Sequence, residues 1–298
     1  MFDIFINYAL LASTFSFNKV LLHTLPPLFL AGITELTGGI LLAIYLYIRG
    51  SLSRIFTKEN IIHLIPIALC ITYGAAILRL YALCNLASFK MCFFSSFDPF
   101  ISALLCYVIK KQKLSSMQLI GMTIATLGSL PMLLCNTAAG TGFGMSLFSL
   151  PVLAAIGTIV INRIGWIFAD DLLKAGILTS IEMTAALLLI GGSLSLGTAC
   201  IYGEAAASYV VIGSYSLIAM LIYVIIINNV VCSSLYTNLV KRYDVTLLSL
   251  SEFLTPLFVA FYGWLFLHEQ VNWVFFVSAG LVGVGLTIFS GAFTHKHT

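Results

Sequence analysis

The chain has 298 residues, 60% of them apolar in the wide sense and 8% charged, with a net charge of +3; soluble domains carry about 25% charged residues. A mean hydropathy of +1.08 leaves too little polar surface to face water, and so small a charge does not hold a polyanion. A soluble enzyme, a nucleic-acid binder and a disordered chain are excluded together, which leaves a polytopic membrane protein.

Crossing a hydrocarbon core of about 30 Å takes roughly 20 apolar residues in a helix. The first such segment, 2–18, follows Met1-Phe2-Asp3, which lacks the positive flank of a signal peptide, so it is expected to be retained. Asn18 and Lys19 end it. Segment 26–48 opens on Pro26-Pro27 and carries Glu35 and Gly38. Segment 61–83 carries Arg79 near its outer end, and segment 88–109 carries Ser95, Asp98 and Pro99. Segment 115–135 holds Gly121 and Ala125 at close-packing spacing, and a glycine-rich connection, Gly140-Thr141-Gly142-Phe143-Gly144, follows. The remaining segments are 144–164, 172–198 with Glu182, 211–235 with Asn228-Asn229, 245–267 with Glu252, and 271–291. Seven cysteines are scattered without a C-x-x-C spacing and read as small packing residues.

With a cytoplasmic N-terminus, eleven basic residues fall inside: Arg49, Arg54, Lys58, Lys110, Lys111, Lys113, Arg163, Lys174, Lys241, Arg242 and Lys296. Only Lys19 and Lys90 then fall outside, so both termini are expected in the cytoplasm of a cell (inner) membrane protein.

The chain repeats weakly. An offset of 144 lays Asn18-Lys19 on Asn162-Arg163 and Ala31-Gly32 on Ala175-Gly176. An offset of 157 lays Pro99 on Pro256, Ala103 on Ala260 and Gly128 on Gly285. Five spans per repeat invert the second copy. The expected fold is therefore an all-α polytopic membrane protein of ten transmembrane helices, built as two inverted five-helix repeats over 1–140 and 141–291, with a cytoplasmic tail at 292–298.

The stretch from Pro256 to Val271, with its His268-Glu269 turn, resembles the end of an EamA-type repeat in the drug/metabolite transporter superfamily. Pro99 through Leu114 resembles it more loosely, and Pro26-Pro27 with Ala31 is also similar to that family. His268-Glu269 and Lys111-Gln112 stand where the family usually has Gly-Glu, and the family's frequent basic residue in span two is missing. The resemblance implies a ten-helix carrier with a central cavity. The substrates it implies range over amino acids, other small metabolites and S-adenosylmethionine, the last being the first choice here.

Charged side chains at mid-bilayer cost about 2.5–3.5 kcal/mol each even on lenient scales. Glu35, Arg79, Asp98, Glu182 and Glu252 are therefore expected to face one another or a wet cavity, as substrate-binding or proton-coupling groups. Ser249, Glu252, Pro256, Ala260 and Gly263 form one small or polar stripe of span nine, and Glu35-x-x-Gly38 is laid over Thr179-x-x-Glu182. Four acids against one base favour a cationic or zwitterionic small molecule, with a coupling proton or an exchanged metabolite as its counterpart. A channel and an intramembrane enzyme are the alternatives, but there is no repeated filter, no G-x-S-x-G and no H-E-x-x-H. No cofactor, metal, catalytic residue or nucleic-acid partner is expected. Glu252→Gln and Glu182→Gln are expected to impair transport more than expression.

Overall fold

The computed structural model describes residues 2–22, 24–55, 57–85, 98–111, 115–135, 150–204, 215–255, 258, 261–262 and 273–294. Cys92, Ser95, the turns at 112–114 and 268–269, the 140–144 connection with the expected repeat boundary, and Pro256, Ala260, Gly263 and Lys296 lie outside them. Among the described residues all regular structure is helical.

Helix α1 spans Phe2–Leu22 and α2 spans Pro27–Ile48. Pro27 starts α2 because its fixed φ suits a first helical turn and its missing N–H would have no partner there. Gly50, at φ 71°, ends it in the left-handed region. Helix α3 (Lys58–Ala68) runs through a π-helical turn, Leu69–Gly74, into α4 (Ala75–Asn85). Helices α5 (Asp98–Lys110) and α6 (Ser116–Cys135) complete the first half.

The second half starts with α7 (Leu150–Lys174) and α8 (Ser180–Ile201). Helix α9 (Tyr215–Val224) then passes through a second π-helical segment, Ile225–Cys232, into α10 (Ser233–Arg242). Helices α11 (Val245–Ser251) and α12 (Trp273–Thr294) follow. Among the described residues, five stretches are long and apolar enough to cross a membrane: Pro27–Ile48, Lys58–Arg79, Leu150–Lys174, Ser180–Ile201 and Tyr215–Arg242.

Two sequence expectations change. Segments 144–164 and 172–198 become helices 150–174 and 180–201, so Arg163 is helical rather than in a cytoplasmic loop. Its neighbours Asp170, Asp171 and Lys174 look like loop residues in isolation, but Asp170 and Lys174 form an ion pair one turn apart within the helix. The register of spans two and seven shifts as well, to an offset of 153 that lays Gly38-Gly39 on Gly191-Gly192. Glu35 then matches Leu188 rather than Thr179.

The helix contacts repeat across the two halves. Helix α2 packs along α8 and α6 along α12; α1 lies on α9 and its π segment, as α7 lies on α4 and its π turn. The second π segment also packs on α2, and the first on α8. These contacts are backbone-close. A Cβ at Gly32 would sit 2.6 Å from the Leu196 nitrogen, and one at Gly39 2.8 Å from the Leu189 nitrogen. Between apolar helices in lipid, such small-residue contacts supply the van der Waals packing that the hydrophobic effect cannot.

Candidate functional site

The centre of the site is Arg163, at 2% exposure one of the largest fully buried side chains described. Its Nε donates to Asp98 Oδ1 at 2.7 Å and Oδ2 at 3.0 Å, and its Nη2 reaches both Asp98 and Glu252. Nη1 donates to the Tyr236 hydroxyl at 2.9 Å. One guanidinium thus joins α5, α7, α10 and the end of α11. Counted at roughly 1.5 Å per residue, Asp98, Arg163 and Glu252 lie roughly 10–18 Å along their helices from Lys110, Lys174 and Val245. That is well within a 30 Å apolar layer.

Glu252 sits where its span is interrupted, in a two-residue turn at 252–253 before helix resumes at Leu254. Helix α11 ends at Ser251, and the chain continues through tight i+3 bonds: Glu252 N to Ser249 O (3.2 Å), Phe253 N to Leu250 O (3.2 Å) and Thr255 N to Glu252 O (2.9 Å). Pro256 has no N–H to offer the Glu252 carbonyl, which explains the tightening. A carboxylate at a helix C-terminus opposes the helix dipole, and Arg163 offsets that. Irregular backbone at membrane depth persists only where protein covers it or a wet cavity adjoins it. Here the Glu252 side chain is bound by Arg163 and is still 40% exposed.

Arg79 is exposed and lies in the electrostatic field of Glu35 and Glu252. Glu35 lies in the field of Arg79 from α2, with Oε2 buried and without a hydrogen-bond partner among the described residues. Beside Arg163, Trp166 and Tyr236 make an edge-to-face pair with centroids 4.6 Å apart. Tyr8 from α1 donates its hydroxyl to the Leu248 carbonyl at 2.8 Å.

Of the five residues singled out by sequence, the structure brings Glu35, Arg79, Asp98 and Glu252 into one electrostatic cluster and leaves Glu182 out. Glu182 is the third residue of α8, and it forms a capping box with Thr179. Its carboxylate accepts the Thr179 N–H at 2.8 Å while its own N–H donates to the Thr179 hydroxyl at 3.3 Å. The sequence signal was present as T-x-x-E, but the nine-residue register error hid it. Arg163 is the residue that sequence reading missed. The charge arithmetic changes with it, from four acids against one base to three against two.

A second set of ion pairs lies near the ends of α5, α7 and α10. Lys110 binds Asp170 and, at 2.8 Å, Asp171. Lys174 lies 2.9 Å from Asp170 and 3.7 Å from Asp244, and Arg242 lies 3.7 Å from Asp3. These pairs tie the end of α5 to α7, and α1 to α10.

The EamA-like transporter family model matches the chain twice, over residues 2–134 and 143–291. A Chlamydia muridarum protein named S-adenosylmethionine/S-adenosylhomocysteine transporter is 26% identical over 274 residues, covering 91% of this chain and 85% of that protein. Proteins of the same name from Chlamydia trachomatis serovars L2 and D are each 25% identical over 271 residues, 91% of this chain and 82% of theirs. A crystal structure at 16% identity superposes with a TM-score of 0.80, covering 100% of this chain and 97% of that one.

Proposed function

The chain belongs to the EamA-like transporter family, and from that premise we propose that it is a secondary carrier exchanging a cationic or zwitterionic metabolite, S-adenosylmethionine first and amino acids next. The observation that carries this reading is the cavity cluster. Three carboxylates (Glu35, Asp98, Glu252) face two guanidiniums (Arg79, Arg163), and Asp98 is fully engaged by Arg163. The open charges are Glu35, Arg79 and the part of Glu252 that faces solvent, a balance of minus one. S-adenosylmethionine, with a sulfonium, an ammonium and a carboxylate, carries the complementary plus one. The Trp166–Tyr236 pair offers aromatic surface beside the cluster for a purine ring. Relatives bearing the S-adenosylmethionine/S-adenosylhomocysteine name over 91% of the chain favour the same substrate.

The working unit is ten helices in two inverted repeats, 1–140 and 141–291, with both termini in the cytoplasm of a cell membrane. The matched contacts of the two halves support it: α1 on the second π segment as α7 on the first, and α2 on α8. Rocking of one set of helices against the other exposes the cluster to each side in turn. The Lys110–Asp170–Lys174 pairs form the cytoplasmic closure.

Counterflow in proteoliposomes tests the reading. Vesicles preloaded with unlabelled S-adenosylhomocysteine take up labelled S-adenosylmethionine in a saturable way if it is right. Uptake that needs no internal substrate and does not saturate marks a channel and overturns it.

A further inference from the structure

Glu35 and Arg79 are close enough to feel each other's charge, yet they do not pair: Glu35 Oε2 is buried without a partner, and Arg79 makes no ion pair among the described residues. A carboxylate left unpartnered within an apolar helix is costly unless something binds it. A third unspent group borders the same face. Asn229, from the second π segment, is 4% exposed, and its Cβ packs against Gly38, one turn along α2 from Glu35. Asn228 Nδ2 donates to Asn229 Oδ1 at 3.0 Å, which leaves Asn229 Nδ2 buried with no acceptor. π-Helical turns recur at functional sites because the extra residue re-aims side chains, and this one delivers an amide donor to an α2 face that already holds an unpartnered carboxylate. The region therefore offers an acceptor for a cation and two donors for an anion.

We propose that Glu35, Arg79 and Asn229 form the receptor for the α-amino-acid end of the substrate. The Glu35 carboxylate takes the α-ammonium, and the Arg79 guanidinium with the Asn229 amide takes the α-carboxylate. The proposal rests on the carrier reading above and adds its specificity. Both S-adenosyl compounds carry this zwitterion, so both are accepted, while the sulfonium that distinguishes them is left to Glu252. The adenosine part alone does not suffice. A bridging zwitterion also satisfies all three unspent groups at once, which neither a simple cation nor a simple anion can do.

The test is competition in the counterflow assay, on the full chain. The competitors are S-adenosylmethionine, its decarboxylated form, 5′-methylthioadenosine, methionine and methionine methyl ester. With wild-type protein, loss of the carboxylate is expected to weaken competition on the order of tenfold to a hundredfold, the range for one charge-assisted contact. In Arg79→Gln the intact and decarboxylated compounds are expected to compete alike, and Arg79→Lys to restore part of the difference. The wild-type comparison stands even if a variant fails to fold. Equal competition by the decarboxylated compound overturns the receptor and leaves the carrier reading in place. Exchange of methionine but of no S-adenosyl compound, with the methyl ester rejected, upholds the receptor and overturns the substrate assignment. Exchange of no compound bearing an α-amino acid overturns both.

Discussion

Arg163 and Asp98 lie 65 positions apart in sequence, yet the guanidinium of one grips both oxygens of the other in the buried middle of the bundle, at 2.7 and 3.0 Å from Nε. The pair joins a helix of the first half to one of the second. Because Nη2 also binds Glu252, it couples the helix break in the second half to that joint. A buried ion pair contributes little net stability against an apolar replacement, but removing one partner strands the other at a cost of about 3–5 kcal/mol.

Arg163→Met is therefore expected to lower the unfolding temperature sharply or abolish monodisperse expression, with Asp98 and Glu252 left facing each other. Arg163→Met combined with Asp98→Leu is expected to recover most of the loss. Thermal unfolding in detergent checks both, and a double variant no better than the single one contradicts the pairing.

Glu252 and Glu182 are both glutamates within apolar helical sequence, and they are expected to behave oppositely. Glu252→Gln keeps one hydrogen-bonding oxygen for Arg163 but loses the charge facing the cavity, so counterflow is expected to fall at least about tenfold with little change in unfolding. Glu182→Ala removes a capping side chain, so stability is expected to drop by about 1 kcal/mol while transport per folded molecule stays the same. This reverses the sequence expectation for Glu182.

The close helix contacts predict a contrast between two glycines. Gly32→Ala places a Cβ 2.6 Å from the Leu196 backbone nitrogen, where no flexible side chain can yield, whereas a Cβ at Gly280 meets nothing within 4 Å among the described residues. Gly32→Ala is expected to cost about 1–3 kcal/mol. Gly280→Ala is expected to be neutral or slightly stabilising, since alanine orders a helix at lower entropic cost. Unfolding midpoints of the two variants decide it.

Lys110 ties α5 to α7 through Asp170 and Asp171, the contact proposed above as the cytoplasmic closure. Lys110→Gln is expected to raise the rate at which a polar maleimide labels Cys106, one turn away on the same helix and 5% exposed. The measurement uses a variant with Cys106 as its single cysteine. Unchanged labelling places the closure elsewhere.

The sequence alone determined that this chain is a helical membrane protein with two weak repeats, because hydropathy is a local property and spacing along the chain survives divergence. It also marked Glu35, Asp98 and Glu252 as residues needing a partner, since an isolated charge in an apolar segment costs the same whatever the fold. It placed Arg163 in a loop, because a charge at the edge of an apolar run looks like a boundary unless its counter-charges are known, and those lie on helices 65 and 89 positions away. Nor could it separate a capping glutamate from a cavity one: Glu182 and Glu252 differ in whether a neighbouring backbone N–H or a distant guanidinium claims the carboxylate. The fold settles that, because it alone brings α5, α7, α10 and α11 around one arginine and, among the described residues, leaves Glu35 Oε2 and Asn229 Nδ2 without a hydrogen-bond partner.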